Sequence, residues 1–138
     1  IERSMVDMGE SRAIGSAPGN RPWRIGISDP LDKASILTVL DVEDRAVATS
    51  SPFGFCFDRE GNFSHIIDPR SGATPQRHAS VTVVAGQAAL ADALSTAFNL
   101  MDADAIAASV RMQAGVEAHV LSLRGEWTKF TAWDGRRL

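Results

Sequence analysis

Residues 80–101, SVTVVAGQAALADALSTAFNLM, join a strand pattern directly to a helix pattern. The first part, 80–86, is rich in β-branched residues, which favours a strand. The second part, 88–101, is rich in Ala and Leu, which favours a helix. We therefore expect a strand that runs straight into a helix, and the rest of the fold is built around this pair.

The polar residues of the expected helix share one face. Asp92, Ser95, Thr96 and Asn99 follow the spacing i, i+3, i+4 and i+7, which aligns them along one stripe. A second, strongly apolar stripe consists of Leu90, Leu94, Phe98 and Met101. Alanine fills most of the flanks, so we expect a largely enclosed helix whose polar stripe faces a site or a narrow strip of solvent.

Asp92 and Thr96 are four residues apart, so a carboxylate and a hydroxyl can lie side by side. An enclosed Asp92 needs a hydrogen-bond donor or a cation, because burying an unpaired carboxylate is unfavourable. Hard oxygen ligands suit Mg²⁺ or Ca²⁺, and Mg²⁺ is often held by one or two protein groups plus phosphate oxygens. The alternative is a solvated polar face, and the spacing alone leaves both interpretations open.

Most other segments have strand patterns. Residues 23–28 alternate apolar and polar side chains, which is typical of a half-buried strand. Further strands are expected at ILTVLDV (36–42), RAVATSS (45–51), FGFCF (53–57) and FSHIIDP (63–69). Residues 15–22, dense in Gly and Pro, predict a hairpin connection.

The end of the chain predicts one more helix and a hairpin. Asp102 has the position of an N-cap for a helix that extends to about Gln113. VEAHVLSL (116–123) and EWTKFTAW (126–133) predict two strands joined at Arg124 and Gly125. The expected fold class is therefore α+β, a mostly antiparallel sheet with two consecutive helices packed on one face.

Composition limits the classes of function. The chain has 138 residues, 44% of them hydrophobic and 22% charged, which is typical of one soluble globular domain. The net charge of −3 argues against a nucleic-acid binder. Cys56 is the single cysteine, so an internal disulfide is excluded. No apolar run reaches the roughly 18 residues of a membrane span, and the residue pattern does not predict an export signal.

His65 ends the pattern FSHII just before the turn formed by residues 68–72. The alternation places it on the same side as Phe63 and Ile67. An isolated histidine in a strand is either a hydrogen-bonded packing residue or a catalytic group. The three histidines of the chain lack zinc-site spacing, and GxGxxG, P-loop and GxSxG motifs are absent.

Five motifs in register carry a family resemblance. HIIDPRSG (65–72) and ADALST (91–96) follow VDMGESRAIG (6–15), PWRIGISDP (22–30) and AVATSS (46–51). This order resembles the ApbE-type FAD:protein FMN transferases over essentially the whole chain. The resemblance implies that residues 1–138 form a single domain equivalent to the C-terminal half of such an enzyme, with an ApbE-like, T-fold-related architecture.

The resemblance also implies site residues. It assigns Asp92 and Thr96 to Mg²⁺ and places His65 and Ile66 against bound FAD. His65 is implied as the catalytic residue, which orients the flavin-side phosphate or takes the incoming proton. The implied reaction transfers FMN from FAD to a threonine hydroxyl of an acceptor flavoprotein and releases AMP.

The same resemblance implies partners and a location. In the family, the N-terminal half supplies a backbone carbonyl to the metal, so we expect this chain to need that half or a second chain for activity. Family members usually work outside the cytoplasm, which implies a periplasmic or membrane-associated parent protein. Glu10 and Ser51 depart from the family pattern, since both stand where many members have glycine.

Two alternatives remain open. One is a non-catalytic module that binds FAD or a partner protein. The other is a covalent flavin carrier, because DPRSGAT (68–74) resembles the acceptor segment Asp-x-x-Ser-Gly-Ala-Thr and would make Thr74 the modified residue.

Overall fold

A computed structural model describes residues 2–32 and 34–132. Within them the chain forms, in order, β1 (Ser4–Asp7), β2 (Glu10–Ile14), β3 (Trp23–Ser28), β4 (Ile36–Val42), β5 (Ala46–Ser50), β6 (His78–Ala85), α1 (Ala88–Phe98), α2 (Ala103–Arg111), β7 (Glu117–Ser122) and β8 (Trp127–Thr131). The strand-to-helix pair predicted at 80–101 is therefore β6 followed by α1. Trp133, in the last predicted strand, lies outside the described residues.

The main sheet has six strands in the order β1-β2-β5-β6-β7-β8, and β3 pairs with β4 in a separate hairpin. Every neighbouring pair is antiparallel. This confirms the α+β class with a mostly antiparallel sheet. Neither helix among the residues described has the length and apolar character that a membrane crossing requires.

Both faces of the main sheet are covered. The helices bury one face, in a core that includes Val81, Val83, Phe98, Ile106 and Val110. The β3–β4 hairpin covers the other face, where Ala13, Ile25, Ile27, Val42, Val47 and Val84 form a second core. Because β6 lies between the two cores, all eight of its residues are buried. A strand covered on both faces loses the apolar–polar alternation, which explains the continuous run SVTVVA.

The two helices begin differently. Asp102 caps α2 as predicted, since its side chain accepts a hydrogen bond from the Ala105 amide at 2.9 Å. The side chain of Gln87 makes no capping hydrogen bond to α1. The last regular residue of α1 is Phe98, three residues before the predicted end, and the chain leaves it through tighter i→i−3 hydrogen bonds.

The predicted strands at 53–57 and 63–69 are wrong. Between β5 and β6 the structure contains an irregular loop with an isolated bridge between Cys56 and Ser64. The Asp58 carboxylate accepts hydrogen bonds from the amides of Asn62 and Phe63, which closes the loop on itself. The alternating Phe residues predicted a strand, but in the described chain nothing covers the side on which Phe55 and Phe57 lie, and they are exposed.

The hairpin predicted at residues 15–22 is also wrong. This segment joins β2 of the main sheet to β3 of the separate hairpin, so the strands it connects are not partners. It contains a small turn closed by the bridge between Ala17 and Arg21. Gly19 in that turn has φ of +84°, which explains the glycine signal.

Candidate functional site

The polar stripe of α1 is divided between the interior and the surface. Ser95 and Asn99 are 0% exposed, whereas Asp92 and Thr96 are exposed. The prediction of a largely enclosed helix is wrong, because α1 packs on β5 and β6 from one side and leaves even Leu90 38% exposed. The two residues predicted to hold a metal therefore lie on the accessible side.

Three hydroxyl groups meet where β5 ends beside α1. The Ser50 Oγ lies 2.7 Å from the Ser95 Oγ and 3.0 Å from the Thr96 Oγ1. The Ser95 Oγ also donates to the Asp92 backbone carbonyl at 2.9 Å. The role of Ser50 could not be predicted from the sequence, because these contacts join residues 45 or more positions apart.

The side chain of Asn99 joins this end of β5 to α1 through hydrogen bonds. Its Nδ2 donates to the backbone carbonyls of Ser50 at 3.1 Å and Ser95 at 2.9 Å. Its Oδ1 is buried and has no hydrogen-bond partner in the described part of the chain. An amide that uses both donors on backbone atoms explains why a polar residue is retained in a buried position.

The Asp92 carboxylate is exposed and makes no hydrogen bond or ion pair with any residue that the structure describes. Side chains four apart on a helix have Cβ atoms about 5–6 Å apart, so Asp92 and Thr96 can reach a common ligand. No group of three or more His, Cys, Asp or Glu side chains suited to a metal exists in residues 2–32 and 34–132. The pair therefore fits Mg²⁺ only as the partial ligand set that substrate phosphates complete.

His65 is exposed, and its ring has a defined hydrogen bond. Nδ1 lies 3.1 Å from the Phe55 carbonyl, which can only accept. Nδ1 therefore carries the proton, and Nε2 of the neutral ring keeps a free lone pair. A sequence pattern cannot reveal such a partner, because it is a backbone atom ten residues away.

His65 and the hydroxyl cluster lie at opposite ends of one short turn. Ser50 contacts α1, and four residues later the His65 imidazole lies next to Gly54, since a Cβ added at Gly54 would lie 3.6 Å from the His65 Cε1. The Gly54 amide donates to the Ser51 carbonyl at 3.0 Å, which closes the turn. The structure shows no hydrogen bond from His65 to Asp92 or Thr96 within the described residues.

The segment around His65 alternates as predicted although it is not a regular strand. Phe63, His65 and Ile67 are exposed, whereas Ser64 and Ile66 are buried. The Ser64 hydroxyl accepts from the Ile66 amide at 3.1 Å and fixes the backbone. Ile66 is 2% exposed, so its predicted contact with FAD stays a prediction and its side chain faces the interior.

The turn after His65 is closed by Asp68. Its carboxylate accepts from the Arg70 side chain at 2.7 and 3.0 Å and from the Arg70 amide at 2.9 Å. These hydrogen bonds lower the pKa of Asp68 to about 2. The Gly72 amide donates to the Asp68 carbonyl at 2.7 Å with φ of +70°, a conformation that glycine adopts without strain.

Thr74, the candidate flavin-acceptor residue, has a structural contact. Its Oγ1 accepts a hydrogen bond from the Ser64 amide at 2.9 Å, and the side chain is half-buried. The hydroxyl therefore holds together the two arms of the loop that presents His65.

The two departures from the family pattern are accommodated. Ser51 has no left-handed backbone, and its Oγ donates to the Ala79 carbonyl at 2.6 Å while accepting from the Phe53 amide at 3.1 Å. Glu10 pairs with Ala48 as the first residue of β2, and the left-handed conformation falls on Gly9, with φ of +111°.

A cavity of about 440 Å³ lies between the turn and the helices. Its lining includes Asp68, Arg70, Arg77, Leu100 and Met101. Asp92, Thr96 and His65 do not line it, so this cavity is distinct from the exposed face of α1.

The chain is similar to known proteins of one family. The model of the ApbE family matches residues 1–120. The FAD:protein FMN transferase of Vibrio cholerae serotype O1 is 38% identical over 105 residues, which cover 73% of this chain and 31% of that protein. The enzyme of the same name from Rhodobacter capsulatus is 38% identical over 98 residues, covering 70% of this chain and 19% of that protein.

Solved structures agree as well. The crystal structure of the ApbE protein of Thermotoga maritima superimposes with a TM-score of 0.83 at 30% identity, covering 93% of this chain and 42% of that one. The chain thus spans less than half the length of these relatives. Since the family model matches 120 of the 138 residues, the chain belongs to the ApbE family.

Proposed function

We propose that this chain is part of an FAD:protein FMN transferase that moves FMN from FAD onto a threonine hydroxyl of an acceptor flavoprotein. The observation that carries the proposal is the exposed pair on α1, where Asp92 and Thr96 lie one helical turn apart with the carboxylate free of any described partner. Relatives that carry the transferase name support the reaction class.

The proposed reaction exchanges one phosphate bond for another. The threonine oxygen of the acceptor forms a bond to the FMN-side phosphorus of FAD, and the bond from that phosphorus to the AMP oxygen breaks. The threonine proton passes to a base, which this proposal places at the Nε2 of His65, and AMP leaves. A bound Mg²⁺, held by Asp92 and Thr96 together with phosphate oxygens, would supply neutralisation of the charge that builds on the diphosphate.

In this proposal His65 accepts a proton or a hydrogen bond at Nε2. The hydrogen bond from Nδ1 to the Phe55 carbonyl fixes the tautomer and orients the ring. An exposed Nε2 with a free lone pair is the arrangement that a general base requires.

The rest of the site must come from elsewhere, because the chain spans 31% of its Vibrio cholerae relative. We propose that an N-terminal half or a second chain completes the flavin pocket and the metal ligands. The parent protein is proposed to act outside the cytoplasm, on an exported flavoprotein, as the family resemblance implies.

A chimaera tests the proposal. Residues 2–132 replace the matching segment of the Vibrio cholerae transferase, and FMN transfer from FAD with Mg²⁺ to an acceptor peptide is measured by mass spectrometry. We expect an FMN-bearing threonine on the peptide. A folded chimaera that binds FAD but leaves the peptide unmodified would instead support a non-catalytic binding module, and FMN on Thr74 would support the carrier.

A further inference from the structure

The hydroxyl groups of Ser50, Ser95 and Thr96 form a hydroxyl cluster. The distances within it determine which oxygen donates each hydrogen bond, and we call this arrangement the proton order. Each serine or threonine hydroxyl carries one proton and can accept further hydrogen bonds. The Ser95 proton goes to the Asp92 carbonyl at 2.9 Å, since a carbonyl cannot donate. The proton between the Ser50 and Ser95 oxygens, 2.7 Å apart, must then come from Ser50.

The rule of one proton per hydroxyl also determines the direction of the hydrogen bond between Ser50 and Thr96. Once the Ser50 proton points at Ser95, the 3.0 Å contact between Ser50 and Thr96 must use the Thr96 proton. Any other assignment leaves two oxygens at hydrogen-bond distance without a proton between them. The Thr96 hydroxyl therefore donates inward, and its lone pairs accept from no described residue.

We infer that Ser50 is a positioning residue, which draws the Thr96 proton inward so that the exposed Thr96 oxygen presents lone pairs to a divalent cation. The inference deepens the proposed function and rests on it for the identity of the ligand. A hydroxyl that pointed its proton outward would oppose a cation, whereas this order makes Thr96 an acceptor before any ligand arrives.

Asn99 keeps the Thr96 hydroxyl, which donates, next to the Ser50 hydroxyl, which accepts. Its Nδ2 donates to the carbonyls of both Ser50 and Ser95, so β5 and α1 cannot slide past each other without breaking the hydrogen bond to Ser50. Rotating the amide by 180° would set Oδ1 against two carbonyl oxygens, which fixes its orientation. The unpartnered Oδ1 follows from that arrangement.

The proton order itself can be observed without any ligand. A neutron structure of the perdeuterated chain locates the Thr96 deuteron directly. We expect it between Thr96 Oγ1 and Ser50 Oγ. A deuteron directed to solvent would overturn the inference whether or not the proposed function holds.

Cation affinity is a second, independent measurement. Mn²⁺ binding to the whole chain is followed by the electron paramagnetic resonance signal of free Mn²⁺. Loss of an outer hydrogen-bond partner of a metal ligand typically lowers affinity about 10- to 100-fold, so we expect a loss of that size for Ser50→Ala and its recovery in Ser50→Thr. Thr49→Ala is the matched control, because it removes the 2.8 Å contact with Thr82 from the same strand.

The outcomes distinguish failure of the positioning role of Ser50 from failure of the proposed function. Equal Mn²⁺ affinity in Ser50→Ala and Thr49→Ala contradicts the positioning role but leaves the proposed function standing. Undiminished affinity in Asp92→Asn contradicts the proposed cation site. If the wild-type chain binds no Mn²⁺ in the absence of phosphate ligands, the neutron structure decides the proton order by itself.

Discussion

The Thr96 hydroxyl of α1 lies 3.0 Å from the Ser50 hydroxyl at the end of β5. This contact connects the exposed face of α1 to β5, and the turn that follows β5 lies next to His65. Residues far apart in sequence thereby reach the same end of β5, which is where ApbE-type chemistry is proposed to occur.

Asp92→Asn is expected to leave the fold unchanged and to remove cation binding. The carboxylate makes no hydrogen bond or ion pair with the described residues, so its loss should change the free energy of unfolding by less than about 0.5 kcal/mol. Thermal unfolding with and without Mg²⁺ checks this, with Asp41→Asn, an exposed carboxylate on β4, as control. The control should keep its stabilisation by Mg²⁺, and stabilisation that persists equally in Asp92→Asn would refute the assignment.

Thr96→Val should weaken cation binding more than it weakens the fold. Valine is nearly isosteric, and the exposed hydroxyl makes a single hydrogen bond, to Ser50, among the described residues, so the stability loss should stay near 1 kcal/mol. Calorimetric titration with Mg²⁺ and urea unfolding are the two measurements. Normal affinity together with a large stability loss would mean that the hydroxyl is structural.

Asn99→Ala should destabilise the fold by roughly 2–4 kcal/mol, because two carbonyls lose their donor and a buried cavity opens. Urea unfolding monitored by far-ultraviolet circular dichroism gives the free energy of unfolding. Gln113→Ala, which removes the contact of a half-buried amide with Ser109, is the control and should cost less. Equal losses in the two variants would show that Asn99 does not lock β5 to α1.

Stability should fall as the pH falls below the ordinary histidine range. Burial lowers the pKa of His119 below its usual 6.5, and Lys129 and Arg45 lower it further while Glu117, 3.9 Å away, opposes them. The unfolded chain therefore binds this proton at a higher pH than the folded chain does. The contribution is present above pH 6.5 and is lost as the pH falls towards the folded pKa.

His119→Gln isolates this contribution, since glutamine is polar but does not titrate. Urea midpoints measured between pH 7.5 and 5 should decline less steeply in the variant than in the wild type. The lowered pKa of Glu117, hydrogen-bonded to Lys129 and Arg45, acts in the same direction at more acidic pH in both proteins. Identical slopes for the two proteins over this range would contradict the assignment to His119.

The sequence predicted what short-range patterns determine. The run 80–98 yielded β6 and α1, and Asp102 yielded the cap of α2, because propensity and capping act within a few residues. Spacing also placed Asp92 and Thr96 on one face. The family resemblance proposes a role for His65 that strand periodicity left open, and this role stays a prediction.

Contacts between residues far apart in the sequence could not be predicted from local patterns. The alternating phenylalanines of 53–57 predicted a strand, but the segment is an irregular loop in which Phe55 and Phe57 are 57% and 68% exposed, because strand formation depends on what pairs with and covers a segment. The i, i+3, i+4, i+7 stripe did not distinguish buried Ser95 and Asn99 from exposed Asp92 and Thr96. That division follows from where β5 meets the helix, which no local pattern encodes.

The central claim is that Asp92 and Thr96 together hold a divalent cation that neutralises a diphosphate. Site-resolved nuclear magnetic resonance of the labelled chain, titrated with Mn²⁺ alone and with inorganic pyrophosphate, tests this most directly. We predict that paramagnetic broadening begins at Asp92 and Thr96 and strengthens when pyrophosphate is added. Broadening that spares α1, or centres on another acidic segment such as the loop containing Asp29 and Asp32, would contradict the account.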